Sequence, residues 1–546
     1  SPNKNSIGEK MVFALAEDKS GNIWIGCENG GLAVYNRSTG QFKLYLSKGN
    51  SENSISSNRV MSLLIDSKEK IWIGTFDKGL DLFDPVSETF TNFSHNPSVP
   101  NSLSIGAIMS LFEDKSGGIW IGSSGGGVNR FDQLNQNFSH YQHIPGENAT
   151  ISPNPVLAIL EDHFGNLWIG TDGGGINFKE KNSPVFKSFL QNPEYGSNSI
   201  TVIYEDKKHN IWIGSDPGTH SSGGAVIKYD YRTKKFELEK EIFIKLGGVS
   251  AILEDKYGEL WFATPTDGLH RYNPVTKKEI VYRHKPDDST SINSNALLCL
   301  YEDSFGNIWI GTMSTGLNLF IRESDTFKHF VNDPLNKESI SGNAIWCITE
   351  DKNNNLWIGT WGYGLNKFDR SSQTFTNYTV DDGLPGNVIY IVIPDDDGNL
   401  WVGSNYGLTR FNTLNQSIKS FSRSEGLFVN DFSAGAFFKS ENGRLYFGGN
   451  AGIVTFKPKS ITENSYIPNV IVTGFKVFDE DIVLEKPVWK TNQIELNYNQ
   501  NFFTIEFASL DYTATDRNIF EYKLDGVDID WVKAGSRNFA NYTDLK

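Results

Sequence analysis

Cysteine is scarce in this 546-residue chain, with Cys27, Cys299 and Cys347 the whole supply. A small, odd number excludes a disulfide scaffold and any cysteine-rich zinc module. It does not fix a compartment, because a chain with a good core needs no disulfide. Basic charge is also in deficit. The 50 Lys and Arg stand against 65 Asp and Glu, a net charge of −15, so no broad basic field exists to hold nucleic-acid phosphates. No run approaches the ~20 consecutive apolar residues that cross a bilayer as a helix. Nor does any stretch keep the 3.6-residue rhythm of an amphipathic helix. No apolar leader follows Ser1, so a signal peptide would lie outside the sequence. With 38% hydrophobic and 21% charged residues, extended disorder is excluded as well.

What is abundant is glycine (52 residues) and aromatic side chains (13%), a mixture that suits short strands and tight turns. It is organised by one repeat. The segment Glu17-Asp18-Lys19-Ser20-Gly21-Asn22-Ile23-Trp24-Ile25-Gly26 recurs with Trp24, Trp72, Trp120, Trp168, Trp212, Trp261, Trp309, Trp357 and Trp401, and Tyr446 marks a degenerate tenth copy. Each unit reads as four short strands, exemplified by Val156–Leu160, Asn166–Thr171, Gly79–Phe83 and Thr89–Phe93. Four antiparallel strands every ~40–50 residues make a β-propeller blade, which must stack on its neighbours to bury its faces. The Trp fills the wedge between blades, a burial of about 2–3 kcal/mol. Ten residues before it the side chain is mostly small (Ala14, Ser62, Ser110, Ala158, Ala251, Cys299, Cys347, Ala436), with Val202 and Ile391 as exceptions. The Asp six residues before Trp reads as a turn residue accepting backbone N–H groups.

Ten units exceed the commonest closed rings of four to eight blades. A single ten-bladed ring and a three-plus-seven division are both compatible, and the second is preferred. It predicts three blades of a first propeller over residues 1–143 and a seven-bladed propeller over 144–460. The last unit lacks its own fourth strand, so some other segment must cover that edge. Residues 465–546 depart from the repeat. Their alternating strands, such as Phe503–Phe507, predict an Ig-like β-sandwich with too few strands for completion, so the sequence reads as cut at both ends.

Several local motifs carry no chemistry. Gly122-Ser123-Ser124-Gly125-Gly126 matches a nucleophile elbow but joins two strands rather than a strand and a helix. The glycine-rich loops lack a phosphate-binding Lys. His140 and His143 point to opposite faces of a predicted strand. Asp395-Asp396-Asp397-Gly398-Asn399 has its Gly misplaced for a calcium loop. Cys299 and Cys347 fill equivalent core positions, with a bridge between them the lesser alternative. No cofactor, metal or catalytic residue is expected.

Irregular loops are more informative, because a rigid repeat displays function on its loops. After the second strand most copies carry small residues. Phe76, Asp77 and Lys78 depart from this, as do Trp361 with Tyr363, and Asn405 with Tyr406. A longer loop carries Asp216 and His220, and Arg59 and Trp346 break their repeat columns nearby. Aromatic faces suit sugar rings, and Asp, Asn, Arg or His bond hydroxyls, so these eleven residues are the candidate ligand contacts. The competing reading is that they pack under neighbouring loops or between two propellers.

The Asp-x-x-Gly-Asn-Ile/Leu-Trp-Ile-Gly-Thr-x-x-Gly-Gly-Leu repeat resembles the two-component regulator propeller repeat. The tail, with Asn501-Phe502-Phe503, Ala508-Ser509-Leu510-Asp511-Tyr512, Tyr522-Lys523-Leu524-Asp525-Gly526, Trp531 and Tyr542, resembles the Y_Y_Y domain. Together they are similar to the periplasmic sensor region of bacterial hybrid two-component system proteins. That resemblance implies two seven-bladed propellers, the Y_Y_Y domain, one membrane helix, a histidine kinase, a receiver and a DNA-binding domain. It further implies dimers that detect glycan-derived oligosaccharides, without enzymatic activity in this region. The departure is that only three blades precede the last seven. Streptogramin-type lyases share a similar repeat in a single ring, so an enzyme is the rival reading. A protein-interaction scaffold is a third.

Overall fold

A computed structural model describes residues 7, 11–49, 54–97, 102–132, 136–147, 149–190, 197–216, 225–238, 248–429, 431–463, 468–512, 515 and 518–543. Among these residues every extended element is a β-strand, apart from short 3-10 turns. The chain divides into two compact units, residues 136–462 and residues 1–135 with 463–546.

The first of these units holds seven four-stranded antiparallel sheets. In the Trp357 blade the strands are Ile345–Glu350, Leu356–Thr360, Leu365–Asp369 and Thr374–Tyr378, each hydrogen-bonded to the next. The innermost strands of successive blades adjoin. Phe432–Lys439, innermost in the last blade, adjoins both Ile389–Pro394 and Val156–Glu161, so seven blades close a ring. The three-plus-seven division therefore describes the chain, and a single ring of ten does not.

The edge left open by the sequence reading is closed from upstream. Ser139–Tyr141 pairs with Gly452–Phe456, placing Ser139 opposite Thr455 and Tyr141 opposite Ile453. Phe138 packs edge-on against Phe421 and Phe456, and Asn137 exchanges hydrogen bonds with the backbone of Thr462 at 2.8 and 2.9 Å. The boundary at 143/144 is thus corrected to 135/136. Residues assigned to the first propeller supply the last strand of the second, and among the described residues the preceding Trp120 sheet has three strands.

Sequence dictates how blades wedge together. Trp357 is buried beside Phe411 of the next blade (5.5 Å between ring centroids), and Trp401 beside Phe456 (4.6 Å). The small-residue column has a local cause. Cys347 faces Gly359 across the first hairpin, and a Cβ on Gly359 would lie 2.5 Å from Cys347 Sγ and 2.8 Å from Ile389 of the next blade. Ile391 sits in the same column opposite Gly403, where the gap is wider. At Tyr446 the wedge differs: its hydroxyl donates to Glu161 Oε2 of the first blade in the ring at 2.8 Å.

The other unit stacks three blades, headed by Val12–Glu17, Val60–Ile65 and Ile108–Glu113, together with the C-terminal module. That module has a four-stranded sheet in the order Glu480–Asp481, Val470–Val477, Phe503–Ser509, Phe539–Tyr542. Against it packs the hairpin Phe520–Tyr522 with Val532–Gly535, through Phe507 and Phe520 at 5.1 Å. Tyr512 of this module meets Trp120 of the third blade edge-on, and Arg130 donates to its carbonyl at 3.4 Å.

Candidate functional site

The candidate contacts fall into two groups. Trp346, Trp361, Tyr363, Asn405, Tyr406 and Asp216 belong to the seven-bladed ring, whereas Arg59, Phe76, Asp77 and Lys78 belong to the other unit. His220 lies outside the described residues.

In the ring, the local fold explains why aromatic side chains gather. The innermost strands of this sector carry a bulge near their start, between Ile345 and Cys347 and again between Ile389 and Ile391. A bulge re-aims its extra residue, and here that residue is Trp346 in one blade and Tyr390 in the next. The two rings meet edge-on at 5.6 Å, and Trp361 meets Trp346 at 6.1 Å. Trp361 is fixed by its backbone, donating to Ala344 O at 3.1 Å and bridging to Val388 of the neighbouring blade. A tight turn follows, in which Gly362 and Gly364 both donate to Asn387 O.

Two glycines hold the outer rings flat. A Cβ on Gly342 would lie 2.5 Å from the Tyr363 ring, and a Cβ on Gly386 would lie 2.4 Å from the Tyr406 ring. The rings therefore lie against bare backbone. Ser341 Oγ also donates to Tyr363 O at 2.7 Å. With this backing, Trp361, Tyr363 and Tyr406 are still 56, 55 and 63% exposed. Asn405 is exposed beside Tyr406.

The third blade of this sector adds polar groups that sequence reasoning missed. Asp431 accepts from the Asn450 side chain at 2.5 Å, and its charge, after burial, helps push the Tyr390 phenol above its ordinary pKa. Trp346 Nε1 is buried with no hydrogen-bond partner among the described residues. Tyr390 was legible only as the neighbour of the exceptional Ile391. Asp431 had no signal, because it lies just before the strand Phe432–Lys439, outside the repeat's regular pattern.

Within the ring, Asp216 does not join this cluster. Asp216 ends the strand Ile211–Asp216, three blades away around the ring. In the other unit, the Arg59 guanidinium lies 3.7 Å from the Phe76 ring centroid, and Phe76 N–H donates to Arg59 O. Asp77 accepts from Ser57 Oγ at 2.6 Å, and the Lys78 backbone donates to Thr75 Oγ1. Those contacts serve the blade itself.

The repeats themselves match the family described as two component regulator propeller, at residues 6–29, 54–77, 102–125, 150–173, 194–216, 245–266, 291–314, 339–362 and 383–406. Nine matches to that repeat thus run along the chain, and its architecture is similar to that of an extracellular domain of a hybrid two component system. It is similar to the extracellular domain assigned to the hybrid two component system BT3049 from B. thetaiotaomicron, at 27% identity and a TM-score of 0.79, covering 98% of this chain and 69% of that one. The corresponding domain of BT4673 from the same organism matches at 20% identity and a TM-score of 0.46, covering 98% of this chain and 70% of that one. Histidine kinase P4 of Formosa agariphila is 32% identical over 146 residues, 26% of this chain and 11% of that protein. The chain thus matches about a ninth of that kinase's length. Among the described residues no helix is long and apolar enough to cross a membrane.

Proposed function

We propose that this chain is the periplasmic ligand-sensing region of a membrane-anchored hybrid histidine kinase, and that it binds a glycan-derived oligosaccharide without cleaving it. The ligand lies on the shelf of Trp361, Tyr363 and Tyr406. The observation that carries this reading is the exposure of three aromatic rings on a rigid sheet rim. Exposed rings take up the apolar faces of sugars, while Asn405, Asp431 and Asn450 are placed for hydroxyls. Glycine-backed rings lose little freedom on binding, which favours affinity.

Signalling follows from differential affinity. The oligosaccharide binds one arrangement of the receptor more tightly, and the population moves toward it. The C-terminal module passes that change onward within a homodimer, toward a membrane segment and kinase outside this chain.

A screen of defined oligosaccharides by thermal melting tests the reading, with each sugar recovered and chromatographed afterwards. A ligand at 100 times its Kd stabilises by about 2.7 kcal/mol, a readily measured shift. One sugar class should raise the melting temperature and come back intact. Cleaved sugar would favour the enzyme, and no shift with any sugar would favour a protein-interaction scaffold.

A further inference from the structure

At the rim where the innermost strands end, a repeated clasp joins neighbouring blades. The residue after the turn Asp donates its backbone N–H to the Glu that ends the next innermost strand. Ser304 does so to Glu350 at 2.7 Å, Lys256 to Glu302 at 2.9 Å and Lys207 to Glu254 at 2.6 Å. His163 makes the same bond to Glu205 Oε2 at 2.9 Å. Here the clasp side chain is an imidazole, and a second imidazole joins it. His163 Nδ1 and His209 Nδ1 both hydrogen-bond Glu205 Oε1, the latter at 3.1 Å.

Three observations make this more than an ion pair. Two imidazoles and a carboxylate offer atoms that all lie within 4.8 Å of one another, the donor set of a three-ligand zinc site. The rings face each other with centroids 4.0 Å apart and 31° between planes, so their Nδ1 atoms converge on one oxygen. The His163 backbone holds Oε2, which turns Oε1 toward the imidazoles, as an outer hydrogen bond orients a metal ligand. In addition, His209 has φ +65°, where the matching turn residues of three other blades in the ring are Gly165, Gly258 and Gly306. A side chain is strained in that conformation, so the turn itself does not call for histidine.

We propose that His163, Glu205 and His209 bind a divalent first-row transition ion of the zinc type through Nδ1, Oε1 and Nδ1, with solvent completing the coordination. His163 comes from the Trp168 blade and the other two from the Trp212 blade, so the ion cross-links two blades. Phe164 and Tyr231, with ring centroids 3.8 and 5.5 Å from that of His163, shield the site on one side. Sequence reading expected no metal because His163 and His209 come from different repeats and form no contiguous motif.

The test uses the whole chain stripped of metal, titrated with zinc chloride and, separately, magnesium chloride. Zinc should bind one to one by calorimetry and raise the melting temperature, and magnesium should do neither. In His163→Ser/His209→Gly the zinc-dependent shift should vanish while far-UV circular dichroism and the metal-free melting temperature persist. Serine makes this clasp elsewhere (Ser304 Oγ to Glu350 Oε1, 2.9 Å), and glycine suits the turn. His209→Gly alone serves if the double variant folds poorly. A zinc shift of equal size in these variants, or none in the parent chain, would overturn the proposal.

Discussion

Asp351 Oδ2 accepts the indole N–H of Trp357 at 2.8 Å, while its Oδ1 accepts the backbone N–H groups of Asn353 and Asn355 at 2.8 and 3.0 Å. The same carboxylate-to-indole bond recurs in every Trp blade, from Asp18 with Trp24 to Asp395 with Trp401, at 2.8–3.0 Å. One side chain thus ties the first turn to the interblade wedge. Asp351→Ala strands a buried indole N–H and frees the turn, so a loss of about 2–3 kcal/mol is expected. Urea unfolding measures it, and an unchanged midpoint would contradict the role.

Acid should weaken the ring through these carboxylates. Burial alone would raise the pKa of Asp303, but Trp309, Asn307 and Arg370 outweigh it and hold the group below its ordinary 3.8. Asp255 is held down in the same way, against burial, by Trp261, the Glu259 backbone and Arg322. A depressed folded pKa contributes stability that is complete above the unfolded pKa and lost as pH falls through the folded one. The urea midpoint should therefore fall below about pH 4. Asp303→Asn should be less stable at neutral pH and show a shallower fall. Parallel curves for parent and variant would refute the assignment.

Ring closure gives a sharper test. A fragment of residues 136–462 carries Ser139–Tyr141 and should fold cooperatively. A fragment of 144–462 lacks that strand and leaves Gly452–Phe456 as a bare edge, so it should aggregate or melt well below the longer one. Equal melting temperatures would show that the strand is dispensable.

Cys299 and Cys347 are free thiols, so the bridge weighed between them is not formed. Burial pushes the Cys347 thiol up to about 12 and raises Cys299 as well. Neither should react with iodoacetamide at pH 8 in the folded protein, and both should react in urea. Rapid labelling under native conditions would contradict their place in the core.

The blades were legible because the Trp repeat is local, and each hairpin forms from adjacent residues. The closure strand was not, since Ser139-His140-Tyr141 carries no turn signature and finds Gly452–Phe456 only through the finished ring. The turn Asp was read as a backbone acceptor, and its second oxygen, aimed at the indole, was missed. Trp361 stood out in a loop where most copies carry small residues, and Trp346 as a departure from its repeat column. Tyr390, Asp431 and the pair His163 with His209 gained meaning only when curvature brought different repeats together. Arg59 and Phe76 also stood out as irregular, and in the structure the guanidinium lies over that ring.

The central claim is that the Trp361–Tyr363 shelf grips a sugar. Isothermal titration of the oligosaccharide that most stabilises the parent chain, into parent and Trp361→Ala/Tyr363→Ala proteins of equal melting temperature, addresses it directly. The account predicts measurable heat in the first and none in the second. Equal affinities would contradict it.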